Sequence, residues 1–342
     1  MRKKSRLVAA VLLLLGLHAA ILLAGFVAPS DPAALNRDLP FVPPTRIHFV
    51  DSRGHLHLVP FIYQWKARPD SFNEYDEAHD KSYPVRFFIQ GPEYRLAGVL
   101  RSHVHLFGAD APAQIFLAGT DAYGRDQFSR ILYGGQISLA AGLLATGISL
   151  FLGLVVGCVS GFYGGWIDES AMRLVELFLV LPWLYFLLAV RSFLPLHISP
   201  AQTFFLLVTV IGTIGWARPA RLVRGIVLSA RSRKYVLASR GFGASDWYIL
   251  RRHVLPHTYG ILFTQAALLV PQYVVAEVTL SFLGLGLSEP APSWGNLLAN
   301  LQQYNVLVSY WWMFAPALAL VIVSLGYLQM ANTVHELQSG ST

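Results

Sequence analysis

Long apolar runs separated by short polar stretches set the plan of this chain. An α-helix crosses a hydrocarbon core in about 20 residues. Six segments meet that requirement, at about 7–27, 136–160, 170–193, 201–217, 260–283 and 309–330. Between the first two lies a watery segment, 30–116, where the period changes from that of helices to that of strands. Apolar and polar residues alternate on both sides of Asp51-Ser-Arg-Gly, from Ile47 to Leu58, which predicts a β-hairpin. Residues 83–91 and 94–100 read as further strands, and 64–83 as a polar loop. Phe49, Leu56, Leu58, Phe61, Phe87 and Phe88 are the expected core of this small unit. Its approach carries Pro29, Pro32, Pro40, Pro43 and Pro44 and reads as an extended linker. The pattern describes an all-α polytopic membrane protein of six transmembrane helices with a small β-containing insert.

Composition agrees. Of 342 residues 54% are hydrophobic and 13% charged, with a mean hydropathy of +0.49. A soluble domain carries about 25% charged residues, so much of this chain faces something other than water. The net charge of +7 raises nucleic acid as a partner, and the placement of the charges argues against it. Nine of the 26 Lys and Arg residues fall between Arg218 and Arg252, opposed only by Asp246. Four more are Arg2, Lys3, Lys4 and Arg6, whereas 28–135 is balanced. Positive charge beside apolar spans marks the cytoplasmic side. Counting spans from there puts both termini and 161–169 and 218–259 inside, with 28–135, 194–200 and 284–308 outside. Residues 1–28 fit a cleaved signal peptide or a retained anchor helix; the length of the apolar run favours the anchor.

Few polar residues interrupt the spans. Arg173 and Glu176 stand i,i+3 and can pair on one helix face. Arg191 suits an outer interfacial anchor, and Pro182 a kink. Cys158 is the single cysteine, so no intrachain disulfide forms. His48, His55 and His57 cluster across the predicted hairpin. Lacking a clear Cys or carboxylate partner, they read as solvent-facing strand residues rather than a metal site.

Three stretches carry more specific information. In the first, Leu117 to Leu139, Gly119, Thr120, Asp121, Gly124, Arg125, Asp126, Ser129 and Arg130 make a charged motif just before the second span. It reads as a short amphipathic helix at the membrane interface. The second runs from Thr279 to Leu298 at the end of the fifth span. There Gly284 and Gly286 let the helix stop and turn and, with Ser281, are candidates for the pathway or its gating; Pro290 and Pro292 stiffen the exit, and Trp294 suits the interface. Glu277, one turn earlier, is an ionisable group in the bilayer and a candidate for gating or for helix–helix hydrogen bonding. The third stretch is 234–257, with Leu237, Ala238, Ser239 and Arg240 before Gly243, and Ala244, Ser245, Asp246, Leu255 and Pro256 after it.

Together these stretches resemble the permeases of binding-protein-dependent ABC importers for dipeptides, oligopeptides and nickel, in particular the C-type subunit of the pair. The resemblance covers about 115–332 and the first span. It implies a type I ABC importer permease fold, with 1–29 an anchor helix, 30–116 an extracytoplasmic insert, 117–332 the permease domain and 333–342 a cytoplasmic tail. In the family the third stretch is the coupling loop, two short helices joined at a glycine and docked on the ATPase. Its usual Glu is Leu237 here, and the usual Arg of the first motif is Gln136. The insert is longer, and the tail different, from the common pattern. The implied setting is the inner membrane of a prokaryote. The implied partners are a second homologous permease, two ATP-binding subunits, an extracytoplasmic solute-binding protein and membrane lipid, with no nucleic acid. No glycine-rich phosphate loop precedes any of the lysines, so ATP and Mg belong to the partner subunit and this chain binds no cofactor or metal. The expected function is passage of di- or oligopeptides or related solutes, nickel complexes and peptide-like antibiotics or opines among them, without catalysis. A stand-alone secondary transporter or a membrane-anchored receptor is the alternative.

Overall fold

The computed structural model describes residues 2–69, 73–96, 100–192 and 199–339. It is mostly helical, with one antiparallel sheet near the N-terminus. The helices are α1 (Arg2–Leu22), α2 (Ala24–Val27), α3 (Gln127–Tyr163), α4 (Gly165–Val180), α5 (Trp183–Ser192), α6 (Pro200–Ile214), α7 (Ala217–Arg231), α8 (Lys234–Gly241), α9 (Asp246–Ile249), α10 (Tyr259–Phe282), α11 (Trp294–Ala299), α12 (Tyr304–Ser309) and α13 (Ala315–Ser339). The strands β1 (His48–Val50), β2 (Leu56–Ala67), β3 (Tyr75–Leu96) and β4 (Leu100–Ala109) pair in chain order. The chain divides into two compact units. One holds Met1–Leu14, Leu139–Leu280 and Val323–Thr342, the other Leu15–Ser138 and Ser281–Ile322.

Among the described residues three helical stretches are long and apolar enough to cross a membrane: Gln127–Tyr163, Asp246–Phe282 and Trp311–Val334. The pair α6 and α7, bent by 42°, makes a fourth if the two are one broken span. The expected first span is met by a shorter apolar helix, Leu7–Leu22. The expected third span, 170–193, is split into α4 and α5, with residue 193 outside the described residues. Leu181 is extended, with ψ 127°, because the ring of Pro182 bars its predecessor from helical geometry. The side chain of Arg191 also lies outside the described residues. The expected fourth span does not stop at 217 but continues as α7 after the break at Gly215–Trp216.

Small residues hold the helical unit together. Gly153, Gly157 and Gly161 recur on one face of α3, and a Cβ on each would strike the backbone of α7 or its Pro219, Val223 and Val227 side chains. This spacing lets two backbones approach closely. Asp168 on α4 accepts two hydrogen bonds from the guanidinium of Arg224, one at 2.6 Å, and fixes the outer face of α7. Arg173 and Glu176 pair at 3.3 Å, as their spacing predicts.

The sheet corrects several expectations. The hairpin at Asp51 forms, but the polar stretch 64–83 is strand at both ends. Gln64 to Ala67 pair with Ala78 to Tyr75, and Lys66 meets Asp80 at 2.8 Å. Cross-strand ion pairs on a wet ribbon remove the apolar alternation by which a strand is recognised. β3 is long because its first half pairs with β2 and its second with β4, through Leu96↔Leu100; 97–99 lie outside the described residues. Of the expected core only Phe61 is buried, whereas Leu58 is 97% exposed. The buried clusters are instead Ile62, Tyr83, Val85, Ala113 and Ile115, and Val42, Trp65 and Phe116. Segments on both sides of the sheet complete its core, so alternation within the strands alone selects the wrong face. The histidines do have a carboxylate partner: Asp51 lies 3.1 Å from His55 and 3.3 Å from His57, while His48 meets Glu77 at 3.1 Å. Among the described residues no three His, Cys, Asp or Glu side chains gather to hold a metal.

Candidate functional site

The basic segment after α7 is a folded turn. Arg231 reaches back from the end of α7 to donate to the carbonyls of Gly161 and Phe162, both at 3.1 Å. Val236, Ile249 and Val254 are buried against Cys158, Phe162, Val223 and Val227, and seat the turn on α3 and α7. Between α8 and α9 the chain reverses at Gly243, whose φ of +80° few side-chain-bearing residues adopt. The Ala244 N–H donates to the Ser239 carbonyl at 3.1 Å across that reversal. Ser245 caps α9 by accepting from the Tyr248 N–H, and Arg240 clasps Asp246 at 3.2 Å. Ser239 Oγ lies 3.3 Å from a ring nitrogen of His253. Beyond α9 the helix widens through a π turn, Leu250–Val254, then tightens through Leu255–Thr258, where Pro256 is exposed, before α10 begins.

Expected residues divide by role. Ala244 packs inward and Leu255 is half-buried, while Ala238 is exposed. Ser245 and Asp246 are exposed but spend their side chains within the turn. The outward apolar surface belongs to Leu237 and to two residues that sequence reading missed, Phe242 (92% exposed) and Trp247 (67%). Their signal was available: bulky apolar residues flanking the glycine of an otherwise basic turn.

The charged motif before α3 is likewise a compact structure. From Gly119 to Asp126 it is not the expected amphipathic helix, whereas Ser129 and Arg130 stand in the first turn of α3. It is a turn closed by a bridge between Thr120 and Asp126, and its charges are buried. Gly119 and Gly124 both have positive φ, and at Gly124 a Cβ would overlap the carbonyl of Asn36. Thr120 Oγ1 donates to the Leu39 carbonyl at 2.8 Å and accepts from the Val42 N–H at 2.7 Å. Asp121 accepts from the N–H groups of Tyr123 and Arg125 and from Arg125 Nε at 2.7 Å. Asp126 caps α3 by accepting from Phe128 and Ser129 N–H and from the Ser129 hydroxyl. Burial pushes the Asp126 carboxyl up to about 6.

The first two motifs, far apart in sequence, meet here. Glu289 accepts from Arg125 at 2.8 Å and from Arg130 at 2.7 Å, so two buried guanidinium groups share Asp121 and Glu289. Trp294, expected at an interface, is fully buried; its Nε1–H donates to the Ile131 carbonyl at 2.9 Å and its N–H to Ser138 Oγ at 3.2 Å. Ser281 is buried, the Gly284 N–H donates to its carbonyl at 3.0 Å, and Gly286 packs onto it. Glu277 is fully buried in the helical unit.

The chain matches the family described as binding-protein-dependent transport system inner membrane component over residues 153–333. It is 42% identical over 200 residues to a dipeptide transport system permease protein of Bacillus subtilis (strain 168), covering 58% of this chain and 60% of that one. A putative peptide permease protein of Brucella suis biovar 1 is 38% identical over 221 residues, covering 64% and 71%. An oligopeptide transport system permease protein of Bacillus subtilis is 34% identical over 228 residues, covering 66% and 72%.

Proposed function

Because the chain belongs to the family of binding-protein-dependent transport system inner membrane components, we propose that it forms half of the translocation pathway of an ATP-driven importer of di- or oligopeptides. The names of the three relatives support the cargo. The charge clustered at 218–259 supports a cytoplasmic position for that segment and, by counting spans, for both termini. The other partners are a second homologous permease, two ATP-binding subunits and a solute-binding protein that meets the insert. The proposed boundaries are an anchor helix at 1–29, the insert at 30–116, the permease domain at 117–332 and a tail at 333–342.

The turn around Gly243 carries this reading. A rigid, internally paired frame seated on α3 and α7 presents Leu237, Phe242 and Trp247 with no cover of their own. Such a frame moves as a lever when its partner moves, and bulky apolar side chains are the anchors that fill a partner's groove. Arg240, Arg251 and Arg252 supply charge to acidic groups or lipid phosphates around it. Trp247→Asp and Phe242→Asp lie on the surface and leave the frame intact. Purified with its genomic neighbours, either variant is expected to insert, retain the second permease, lose the ATPase and stop peptide uptake. An ATPase retained at wild-type level with uptake unchanged would sink the assignment. Gly243→Pro is a harsher form of the same test, since it also disrupts the reversal.

A further inference from the structure

One cavity of the helical unit lies where two helices are interrupted. Its volume is about 120 Å³. Leu181 and Trp183, on either side of the break between α4 and α5, form one wall, and Gly215 and Arg218, at the break between α6 and α7, form another. Gln272 and Tyr273 on α10 complete it. The site is ordered from behind: Tyr273 Oη lies 2.9 Å from Ser149 Oγ, which donates to the Gly212 carbonyl at 2.6 Å, one turn before the break.

Arg218 is the anomaly. Its neighbours on α7, Ala217, Pro219 and Ala220, are buried, while Arg218 is exposed at the cavity. Among the described residues no carboxylate pairs with it, in contrast to Arg224 one and a half turns on, which Asp168 holds. Its depth follows from α3. The backbone around Trp216 and Ala220 faces Gly153, and ten further residues of α3 separate Gly153 from the helix end at Tyr163. At 1.5 Å per residue that is about 15 Å, so within the bent pair α6 and α7 Arg218 stands beside the break, and the cytoplasmic segment begins further along α7 than 218. A cation inside a span faces the bundle interior or a water-filled path and marks what passes. The start of α7 has no side-chain cap, so its positive helix end adds to the same field. Interrupted helices presenting such an end at the site of passage are a recurrent solution for anionic solutes.

We propose that Arg218 is an anion subsite of the translocation pathway, taking the terminal carboxylate of a passing peptide while the apolar cavity beside it receives the adjoining side chain. This rests on the peptide-permease reading above. The geometry suits brief engagement, because the cavity has room for one side chain and, among the described residues, one cationic group lines it.

The test is uptake of labelled dialanine by the whole complex in liposomes, with wild type, Arg218→Gln and Arg218→Lys, alongside co-purification of the second permease. Arg218→Gln is expected to assemble and to lose uptake by roughly tenfold or more, and Arg218→Lys to restore most of it, since a point charge serves a passing carboxylate. Uptake unchanged in Arg218→Gln overturns the proposal. So does loss of the second permease from that variant, which would make Arg218 an intersubunit contact. A wild type that assembles but carries no dialanine overturns the peptide reading itself and removes the subsite with it.

Discussion

At the scale of single residues the charged motif is the most demanding feature. Arg130 is fully buried and Arg125 nearly so, and Asp121 and Glu289 balance them. The two acids are unequal. Asp121 is buried and serves the backbone as well as the guanidinium, whereas Glu289 is 43% exposed and water can replace part of what it gives. Asp121→Ala should cost about 3–5 kcal/mol, the usual penalty for orphaning a buried charge. Glu289→Ala should cost about 1–3 kcal/mol. Thermal unfolding of the purified complex gives the order, and equal losses would contradict the assigned geometry. Asp126 adds a pH dependence. Its carboxyl, near 6 when folded, holds its proton more tightly than in an unfolded chain, where Asp titrates at about 4. Its contribution to stability is therefore full below about 4 and falls as pH rises through about 6. Asp126→Asn removes that slope while keeping a cap, so wild type should lose stability relative to the variant as pH is raised from 4.5 to 7.5. The motif's residues were legible in the sequence, and their burial was not. Nothing local reveals that the partner of Arg125 and Arg130 is Glu289, some 160 positions away.

Elements show the same division between what is local and what is not. Spans built on uninterrupted apolar runs, such as α3, follow directly from hydropathy, and the break at Pro182 follows from proline. The break at Gly215–Trp216 and the continuation into α7 do not, because α7 carries four arginines among its fifteen residues and is held by its narrow face on α3 rather than by its own apolarity. That face explains the glycines. At Gly157 a Cβ would lie 2.6 Å from the Ala220 carbonyl oxygen and 2.8 Å from the Val223 side chain, whereas at Gly147 nothing lies within 4 Å. Gly157→Leu should therefore destabilise by at least about 1–3 kcal/mol through overpacking. Gly147→Ala, on the same helix, should be neutral or stabilising by up to about 1 kcal/mol. Melting temperatures of the two variants decide it. Equal tolerance at both sites would mean that α7 does not rest on that face. The polar ribbon of β2 and β3 fails to read as strand for the converse reason: its ladder is satisfied by backbone and ion pairs, with little to bury.

For the whole molecule the open question is what the sheet contributes, since the family match begins only at residue 153. The sheet is joined to its unit by core packing and by local contacts. Tyr94 packs against Gly25, and the ring nitrogens of His105 lie 2.6 and 3.0 Å from the Ala28 and Pro92 carbonyls. Its two connections meet where the Thr45 N–H donates to the Phe116 carbonyl and the Phe116 N–H to Thr45 Oγ1, at 2.8 and 2.9 Å. A segment whose ends are already joined can be excised with little loop-closure cost. Replacing 47–111 by a short Gly-Ser link should leave the Asp121–Arg125–Glu289 cluster and the Gly243 turn in place, and the ATPase should still co-purify. On the reading proposed above, what should be lost is a face for the solute-binding protein, on which Phe49, Leu56 and Leu58 stand exposed. Exposed apolar side chains grouped at a sheet end mark an interaction surface. Capture of the binding protein is expected to weaken by roughly tenfold or more, with uptake falling in proportion at limiting binding protein and recovering at saturation. If capture is undiminished, the sheet serves the membrane protein itself. If the ATPase is lost instead, excision has disturbed the helices and the sheet is part of the permease's framework.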